Sequence, residues 1–240
     1  MTAVRVGLVS EGKTDFEIVR WAIGEALATE GIDADFLPLQ PVPDRTSGTH
    51  SGGGWHTVYQ WCLRNDAVAR KRFFGGGLFA GVSDDVDILI VHIDGDIHQV
   101  FLAVFPGREI CSAEPSEYSV EPTQTFAFCT EILKNWMYGA QGRAEDDHTF
   151  PAPVVMASEA WLIGGLGFHD QPDTIAAPKE AFARLWLLSQ GRPVPPTIRK
   201  LKRHASVIKV AIEGKTADLS FADKTAAFIH AVNTIRAYAR

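Results

Sequence analysis

Carboxylates follow two apolar runs of the chain, close to the point where each run ends. Glu11 comes after the run Val4–Val9, and Asp94 and Asp96, separated by one glycine, come after the run Ile88–Val91. Because the carboxyl ends of parallel strands share one edge of a sheet, we expect these three side chains to converge there. Clustered carboxylates repel each other unless a cation lies among them. Mg²⁺ accepts such ligands and keeps coordination positions for a phosphate substrate, so the pattern predicts a Mg²⁺ (or Mn²⁺) site.

The segments around these carboxylates alternate between strand and helix patterns. Short β-branched runs predict buried strands, and apolar residues at helical spacing predict helices. Thr14 followed by Glu17 is a capping box, which predicts that the first helix begins at Thr14. The predicted strands are Val4–Val9, Phe36–Leu39, Asp87–Ile93 and Val154–Met156, and the later predicted helices are Trp55–Asn65, Thr123–Tyr138 and one that starts at Ser158.

The alternation predicts an α/β fold with a mainly parallel, Rossmann-like sheet flanked by helices. No strand pattern follows Gly167, and three helical segments are predicted instead: Pro178–Ser189, Thr197–Ile212 and Phe221–Ala239. We therefore expect an α/β domain over residues 1–170 and a helical C-terminal extension over residues 171–240 that packs on it.

The composition is that of an ordinary globular protein. The chain has 240 residues, of which 46% are hydrophobic and 22% charged, which argues against global disorder. The net charge of −6 removes overall basicity as an argument for nucleic-acid binding. Three scattered cysteines without metal-ligand spacing favour a reduced, cytoplasmic protein. No apolar stretch has the length of a membrane span, and no secretory signal is recognisable, so no membrane association is expected.

The loop that contains Glu11, which we call the first acidic loop, also satisfies a nucleotide-binding pattern. Gly7–Thr14 matches the Walker A spacing, with Lys13 in the position that contacts phosphates. Two features argue against this assignment: Leu8 and Val9 have the pattern of a strand interior, and Glu11 would place a negative charge among phosphates. A P-loop nucleotide-binding protein is kept as the alternative.

Taken together, the motifs resemble the TOPRIM domain of topoisomerases, primases and overcoming-lysogenisation-defect nucleases. The matching features are Glu-Gly-x-x-Asp at Glu11–Asp15 and Asp-x-Asp at Asp94–Asp96. The segment Ser158–Ile163 and the glycines before Trp55 are similar to segments of small stand-alone, RloB-like TOPRIM proteins found with prokaryotic defence and mobile loci. The resemblance covers roughly residues 4 to 170.

The resemblance implies a Mg²⁺-dependent nuclease acting on DNA or RNA. Glu11, Asp94 and Asp96 would be catalytic residues and metal ligands, and Glu159 a supporting acid or second-metal ligand. Related nucleases sometimes work with a partner ATPase, and a homodimer is compatible with the resemblance. A TOPRIM-like regulatory module without catalysis is a second alternative.

Basic residues are concentrated in one part of this acidic chain. Residues 181–212 contain no Asp or Glu, and the cluster Arg199, Lys200, Lys202 and Arg203 lies within them. This cluster, together with Lys13, is a candidate surface for nucleic-acid phosphates, and a solvated helix face explains the cluster equally well. Arg70, Lys71 and Arg72 form a second, shorter basic cluster.

Overall fold

The computed structural model describes residues 3–40, 53–74, 85–96, 122–139, 143, 148–198 and 204–239. Within them lies a four-stranded sheet whose strand pairs are all parallel. The strands are β1 (Val4–Val9), β2 (Ala34–Gln40), β3 (Ile88–Val91) and β4 (Thr149–Pro151). Their order across the sheet is β2-β1-β3-β4. The predicted α/β fold with a parallel sheet is confirmed.

Eight α-helices are found in the described residues and flank this sheet. They are α1 (Lys13–Ala28), α2 (Trp55–Arg64), α3 (Ala67–Arg70), α4 (Pro122–Tyr138), α5 (Glu159–Gly165), α6 (Pro178–Ser189), α7 (His204–Ile212) and α8 (Ala226–Tyr238). Short 3₁₀ helices cover Lys71–Phe73, Pro172–Thr174 and Leu219–Lys224. None of the helices in the described ranges is long and apolar enough to cross a membrane.

Alternate residues of the central strands point into two separate hydrophobic clusters, as the two-residue period of a strand requires. Ile88 and Ile90 of β3 join one cluster, and Leu89 and Val91 join the other. The first cluster contains side chains of α1, α5 and the C-terminal helices, and the second contains side chains of α2 and α4. The sheet is therefore buried on both faces, which explains the near-continuous apolar runs of its strands.

The C-terminal helices share the core of the sheet. Phe182 of α6, Ile208 of α7 and Phe228 of α8 are buried in the same cluster as β1 and β3. α7 and α8 both pack against α1, and α6 packs against α5. Consequently the residues after 170 keep α1 and α5 in position.

Several predicted elements begin at a different residue in the structure, and three helices illustrate the reasons. α1 begins at Lys13 rather than Thr14, and no side chain caps it. The amide of Phe16 donates to the carbonyl of Gly12, and the hydroxyl of Ser10 donates to the same carbonyl, so the turn itself starts the helix. Thr197 is not helical, and the described part of the helix that was predicted from it covers His204–Ile212.

The helix predicted from Phe221 begins later, at Ala226. The carboxylate of Asp218 accepts a hydrogen bond from the amide of Ser220 and starts a 3₁₀ turn there instead.

The strand predicted at Val154–Met156 is also wrong, because β4 ends at Pro151. The amide of Val154 donates to the carbonyl of Ile93, and the amide of Asp96 donates to the carbonyl of Met156. The segment thus follows the chain beyond β3 but leaves the regular ladder, because two prolines in residues 151–153 lack the amide N–H that a ladder uses.

The strand order creates a crevice between β1 and β3. The chain leaves β1 to form β2 on one side and later forms β3 on the other side of β1. At such a reversal the connections from neighbouring strands diverge, and ligands bind outside the carboxyl ends of the strands. Glu11 follows β1 and Asp94 follows β3, so both lie at this point.

Candidate functional site

Glu11 and Asp94 are in direct contact at the carboxyl edge of the sheet. A carboxylate oxygen of Glu11 accepts a hydrogen bond of 2.9 Å from the backbone amide of Asp94. The turn that carries Glu11 is held by the glycines noted in the sequence: the amide of Gly54 donates to the carbonyl of Glu11 at 3.1 Å. Gly54 has a φ of +110°, which favours glycine at this position.

Asp94 is buried, and both of its carboxylate oxygens have partners. Oδ1 accepts a hydrogen bond of 2.9 Å from the amide of Ser158, at the start of α5. Oδ2 accepts one of 2.9 Å from the ammonium of Lys179 in the first turn of α6. The first amides of a helix lack partners within the helix, so Asp94 satisfies one of them while its own orientation is fixed.

Close backbone packing brings the acidic loop to this position. A Cβ atom added at Gly95 would lie 1.9 Å from the carbonyl oxygen of Val155. Only glycine permits this approach, which presses the loop after β3 against the segment before α5. Asp96 is carried to the surface by the same loop, and 51% of its side chain is exposed. Its carboxylate lies 3.8 Å from the ammonium of Lys179.

A fourth carboxylate, Asp15, belongs to the same cluster. It is buried in the first turn of α1, and its carboxylate accepts a hydrogen bond of 2.6 Å from the hydroxyl of Ser158. Ser158 therefore links Asp15 to Asp94, through its side chain and its backbone amide respectively. In the sequence Asp15 is the last residue of the Glu-Gly-x-x-Asp motif, and a negative charge in the first turn of a helix is favourable in any case.

Glu159 lies next to this cluster and is almost fully buried. One carboxylate oxygen lies 2.7 Å from Nε2 of His204, at the start of α7. The other oxygen has no hydrogen-bond partner among the described residues. A buried carboxylate oxygen without a partner is costly, so this atom is free to accept a ligand.

The charges of the cluster strongly perturb the two acids of the first loop and helix. Burial, followed by the negative charges of Asp94, Asp15 and Asp96, raises the pKa of Glu11 to about 9, although the hydrogen bond from the amide of Asp94 opposes the shift. Burial, followed by the charges of Asp94 and Glu159, also raises the pKa of Asp15 well above its ordinary value. Burial and repulsion between the carboxylates therefore both favour the protonated forms of Glu11 and Asp15.

Lys179 supplies positive charge to the cluster. Burial disfavours its ammonium form, but the charges of Asp94, Glu159 and Asp96 outweigh that effect and raise its pKa above the ordinary value. Its side chain is 38% exposed, so the ammonium lies between the buried acids and the solvent.

The chemistry of the donor set suits a hard divalent ion. Glu11, Asp94 and Asp96 offer carboxylate oxygens, and Glu159 offers the oxygen without a partner. As the side chains stand, no three His, Cys, Asp or Glu residues in the described part of the chain form a ready metal-ligand group. The ammonium of Lys179 lies between the carboxylates of Asp94 and Asp96, in the region an ion would share.

The structure locates the predicted site residues as follows. It brings Glu11 and Asp94 into contact, with Asp96 and Glu159 beside them. Lys13 is exposed at the start of α1. The basic cluster Arg199, Lys200, Lys202 and Arg203 lies outside the described residues.

Two residues of the site, Lys179 and His204, had no signal in the sequence. Each is one of several polar residues in a helical segment far along the chain from the acidic loops. Ser158 was noted only as part of a motif. Its bonds to two carboxylates become visible only when β1, β3 and α5 are assembled.

Another buried acid, Asp173, lies outside the cluster of Glu11, Asp15, Asp94 and Asp96, and its burial leads to a testable prediction. Its side chain is 8% exposed, one of its oxygens has no hydrogen-bond partner in the described ranges, and burial raises its pKa to about 7. Because the pKa of Asp173 is higher in the folded than in the unfolded protein, its contribution to the free energy of unfolding is fully present below the unfolded-state pKa. That contribution is lost as the pH rises toward 7. We expect Asp173→Asn to stabilise the protein by up to about 4 kcal/mol above pH 7 and to have little effect near pH 4.

Urea unfolding of the Asp173→Asn variant and the wild type between pH 4 and pH 8 measures this gain. Asp170→Asn is the matched control, because Asp170 is exposed and the hydrogen bond from Lys224 lowers its pKa. A gain for Asp173→Asn that does not grow with pH would contradict the prediction.

No family model, curated protein or solved structure matches this chain. The resemblance of its motifs to the TOPRIM domain therefore stays a prediction.

Proposed function

We propose that this protein is a TOPRIM-type nuclease that carries out Mg²⁺- or Mn²⁺-dependent phosphoryl transfer on nucleic acid. The observation that carries the proposal is the contact between Glu11 and Asp94 at the reversal of the strand order, with three further acids beside them. Such a cluster is expensive to fold without a function, since burial and repulsion raise the pKa of Glu11 to about 9.

Glu11, Asp94 and Asp96 would hold the metal ion, and Glu159 would add its unpartnered oxygen. A metal ion bound there would polarise a phosphoryl oxygen and lower the pKa of a bound water. The chain's own residues hold the ligands in place: the amide of Ser158 orients Asp94, and the amide of Asp94 orients Glu11. His204 fixes one oxygen of Glu159 and leaves the other available.

The site is open to solvent on one side and does not enclose a small molecule. Asp96 and Lys179 lie at its exposed side, whereas Asp94 and Glu159 lie at its buried side. A substrate must therefore approach from the solvent, with its phosphate entering between Asp96 and the loop of Glu11. A long polymer suits this arrangement. A role of the protein in prokaryotic defence or in mobile elements is part of the same proposal.

Cleavage of nucleic acid by the purified protein tests the proposal. We expect single-stranded or double-stranded DNA or RNA to be cut in MgCl₂ or MnCl₂ and to stay intact in EDTA. If none of the four substrates is cut with either metal, the nuclease assignment is wrong. Metal binding measured by calorimetry in that case would support a TOPRIM-like regulatory module instead.

The P-loop alternative has less support from the local geometry. Gly7, Leu8 and Val9 lie within β1 and pair with both neighbouring strands, so their backbone is not arranged as a phosphate-binding loop. Titration with Mg·ATP separates the two functions. Micromolar binding that is lost in Lys13→Ala would favour the P-loop assignment.

A further inference from the structure

We propose that a groove between the end of β2 and α2, distinct from the acidic cluster, binds the phosphodiester backbone of a nucleic-acid strand. The inference rests on the proposed function and extends it by naming where the substrate lies outside the metal site. The groove has a volume of about 670 Å³. Its cationic side chains are Arg64, Arg72 and, when protonated, His56.

The charge of this groove is opposite to that of the chain as a whole. Ten described residues line the groove, and none of them is Asp or Glu, although the chain has 29 acidic residues and a net charge of −6. Another groove among the described residues, beside Trp21, is lined by five acids and three basic residues: Glu17, Glu25, Asp33, Asp35, Glu213, Arg20, Lys209 and Lys215. The described lining of this groove therefore carries positive charge without acids, a local property that favours an anionic ligand.

The two arginines are available for such a ligand. Arg64 is exposed and makes no ion pair within the part of the chain that the structure describes. Arg72 is held by a hydrogen bond to the side chain of Asn65, and its guanidinium lies 4.8 Å from the centre of the Phe73 ring. A guanidinium held this way keeps donors that face solvent, and phosphate is the ligand whose geometry it matches.

The groove is connected directly to the loop of Glu11. Thr57 in its wall donates a hydrogen bond of 2.7 Å to the carbonyl of Gly54, whose amide donates to the carbonyl of Glu11. On the opposite wall, the carbonyl of Gln40 accepts a hydrogen bond of 2.9 Å from the amide of Ser10. A strand that lies in the groove is therefore led toward the acidic cluster. The exposed amide side chain of Gln60 in the wall of the groove suits contacts with sugars and bases.

Binding measured in EDTA tests the groove without requiring cleavage. Fluorescence anisotropy with short labelled single-stranded and double-stranded DNA and RNA gives the affinity across a range of salt concentrations. For the double variant Arg64→Ala/Arg72→Ala we expect the affinity to fall about tenfold or more at 0.1 M salt, and the log–log salt slope to fall by about 1.4 to 1.8, since each lost phosphate contact removes about 0.7 to 0.9. The matched control is Lys215→Ala/Lys224→Ala, which removes the same charge from two exposed positions outside the groove.

Several outcomes would overturn the proposal. They are an unchanged salt slope in the groove variant, an equal loss in the control variant, and a wild-type protein that binds none of the four nucleic acids. A mononucleotide that displaces the strand at micromolar concentration from the wild type would assign the groove to a small phosphate ligand instead. If the double variant does not fold, Arg64→Glu alone decides, because Arg64 is exposed.

The failure of this proposal and the failure of the nuclease assignment give different results. If the wild-type protein binds strands through Arg64 and Arg72 but never cuts them, the groove assignment stands and the nuclease assignment is wrong. If the wild type cuts with Mn²⁺ and the groove variant binds nucleic acid as tightly as the wild type, the nuclease assignment stands and the groove assignment is wrong.

Discussion

Metal-dependent cleavage is expected to fall about a thousandfold or more when Asp94 is replaced by Asn. Asp94 occupies the centre of the site: its carboxylate receives the amide of Ser158 and the ammonium of Lys179, and its own amide binds Glu11. An amide side chain keeps one acceptor for Ser158 but is a poor ligand for a hard cation. Asp96→Asn should also remove cleavage, because the loop places both carboxylates beside the same ammonium.

The measurement is the initial rate of cleavage at saturating MnCl₂, with the melting temperature of each variant as a check of folding. Asp223→Asn is the matched control, because Asp223 is exposed and lies far along the chain from the acidic loops. Wild-type cleavage by the folded Asp94→Asn variant would show that this carboxylate does not hold the ion.

Mn²⁺ binding is expected to become about 10 to 100 times tighter when Lys179 is replaced by Met. The ammonium lies 2.9 Å from one carboxylate oxygen of Asp94 and 3.8 Å from one of Asp96, so it competes with an ion for the same oxygens. Its loss removes that competition and also leaves the buried carboxylate of Asp94 without a cation. The variant should therefore melt at a lower temperature than the wild type in EDTA and gain more stability from Mn²⁺.

Calorimetric titration of metal-free protein with MnCl₂ measures this change. Lys179→Arg keeps the charge and should keep the weaker binding, whereas Lys134→Met removes a lysine from the exposed face of α4 and should change nothing. Equal affinity for wild type and Lys179→Met would mean that the ion does not share the oxygens that Lys179 contacts.

The parallel α/β sheet was predictable because its strands are buried on both faces. Val4–Val9 and Ile88–Val91 are short runs in which all residues except Arg5 are buried, which is typical of parallel strands covered by helices. Element ends were predicted less well. The capping box at Thr14 and the strand at Val154–Met156 failed because a turn and two prolines, respectively, determined where the elements begin and end. Local patterns record which element forms more reliably than which residue ends it.

The sequence by itself determined that acids follow β1 and β3, and therefore that Glu11 and Asp94 lie at one edge of the sheet. That inference needs only the parallel direction of the strands, which the alternation of strands and helices supplies. The identity of Glu159 as a neighbouring acid came from a motif rather than from geometry. Its local pattern alone contains nothing that relates it to either loop.

Only the tertiary structure decided what surrounds these acids. Lys179, His204 and Ser158 come from helices whose sequence patterns describe packing faces, and one polar residue among others in such a helix has no local signature of a site. Their roles arise because α5, α6 and α7 pack against the core that contains β1 and β3. The burial that raises the pKa of Glu11 to about 9, and the ammonium that lies between Asp94 and Asp96, are consequences of that packing.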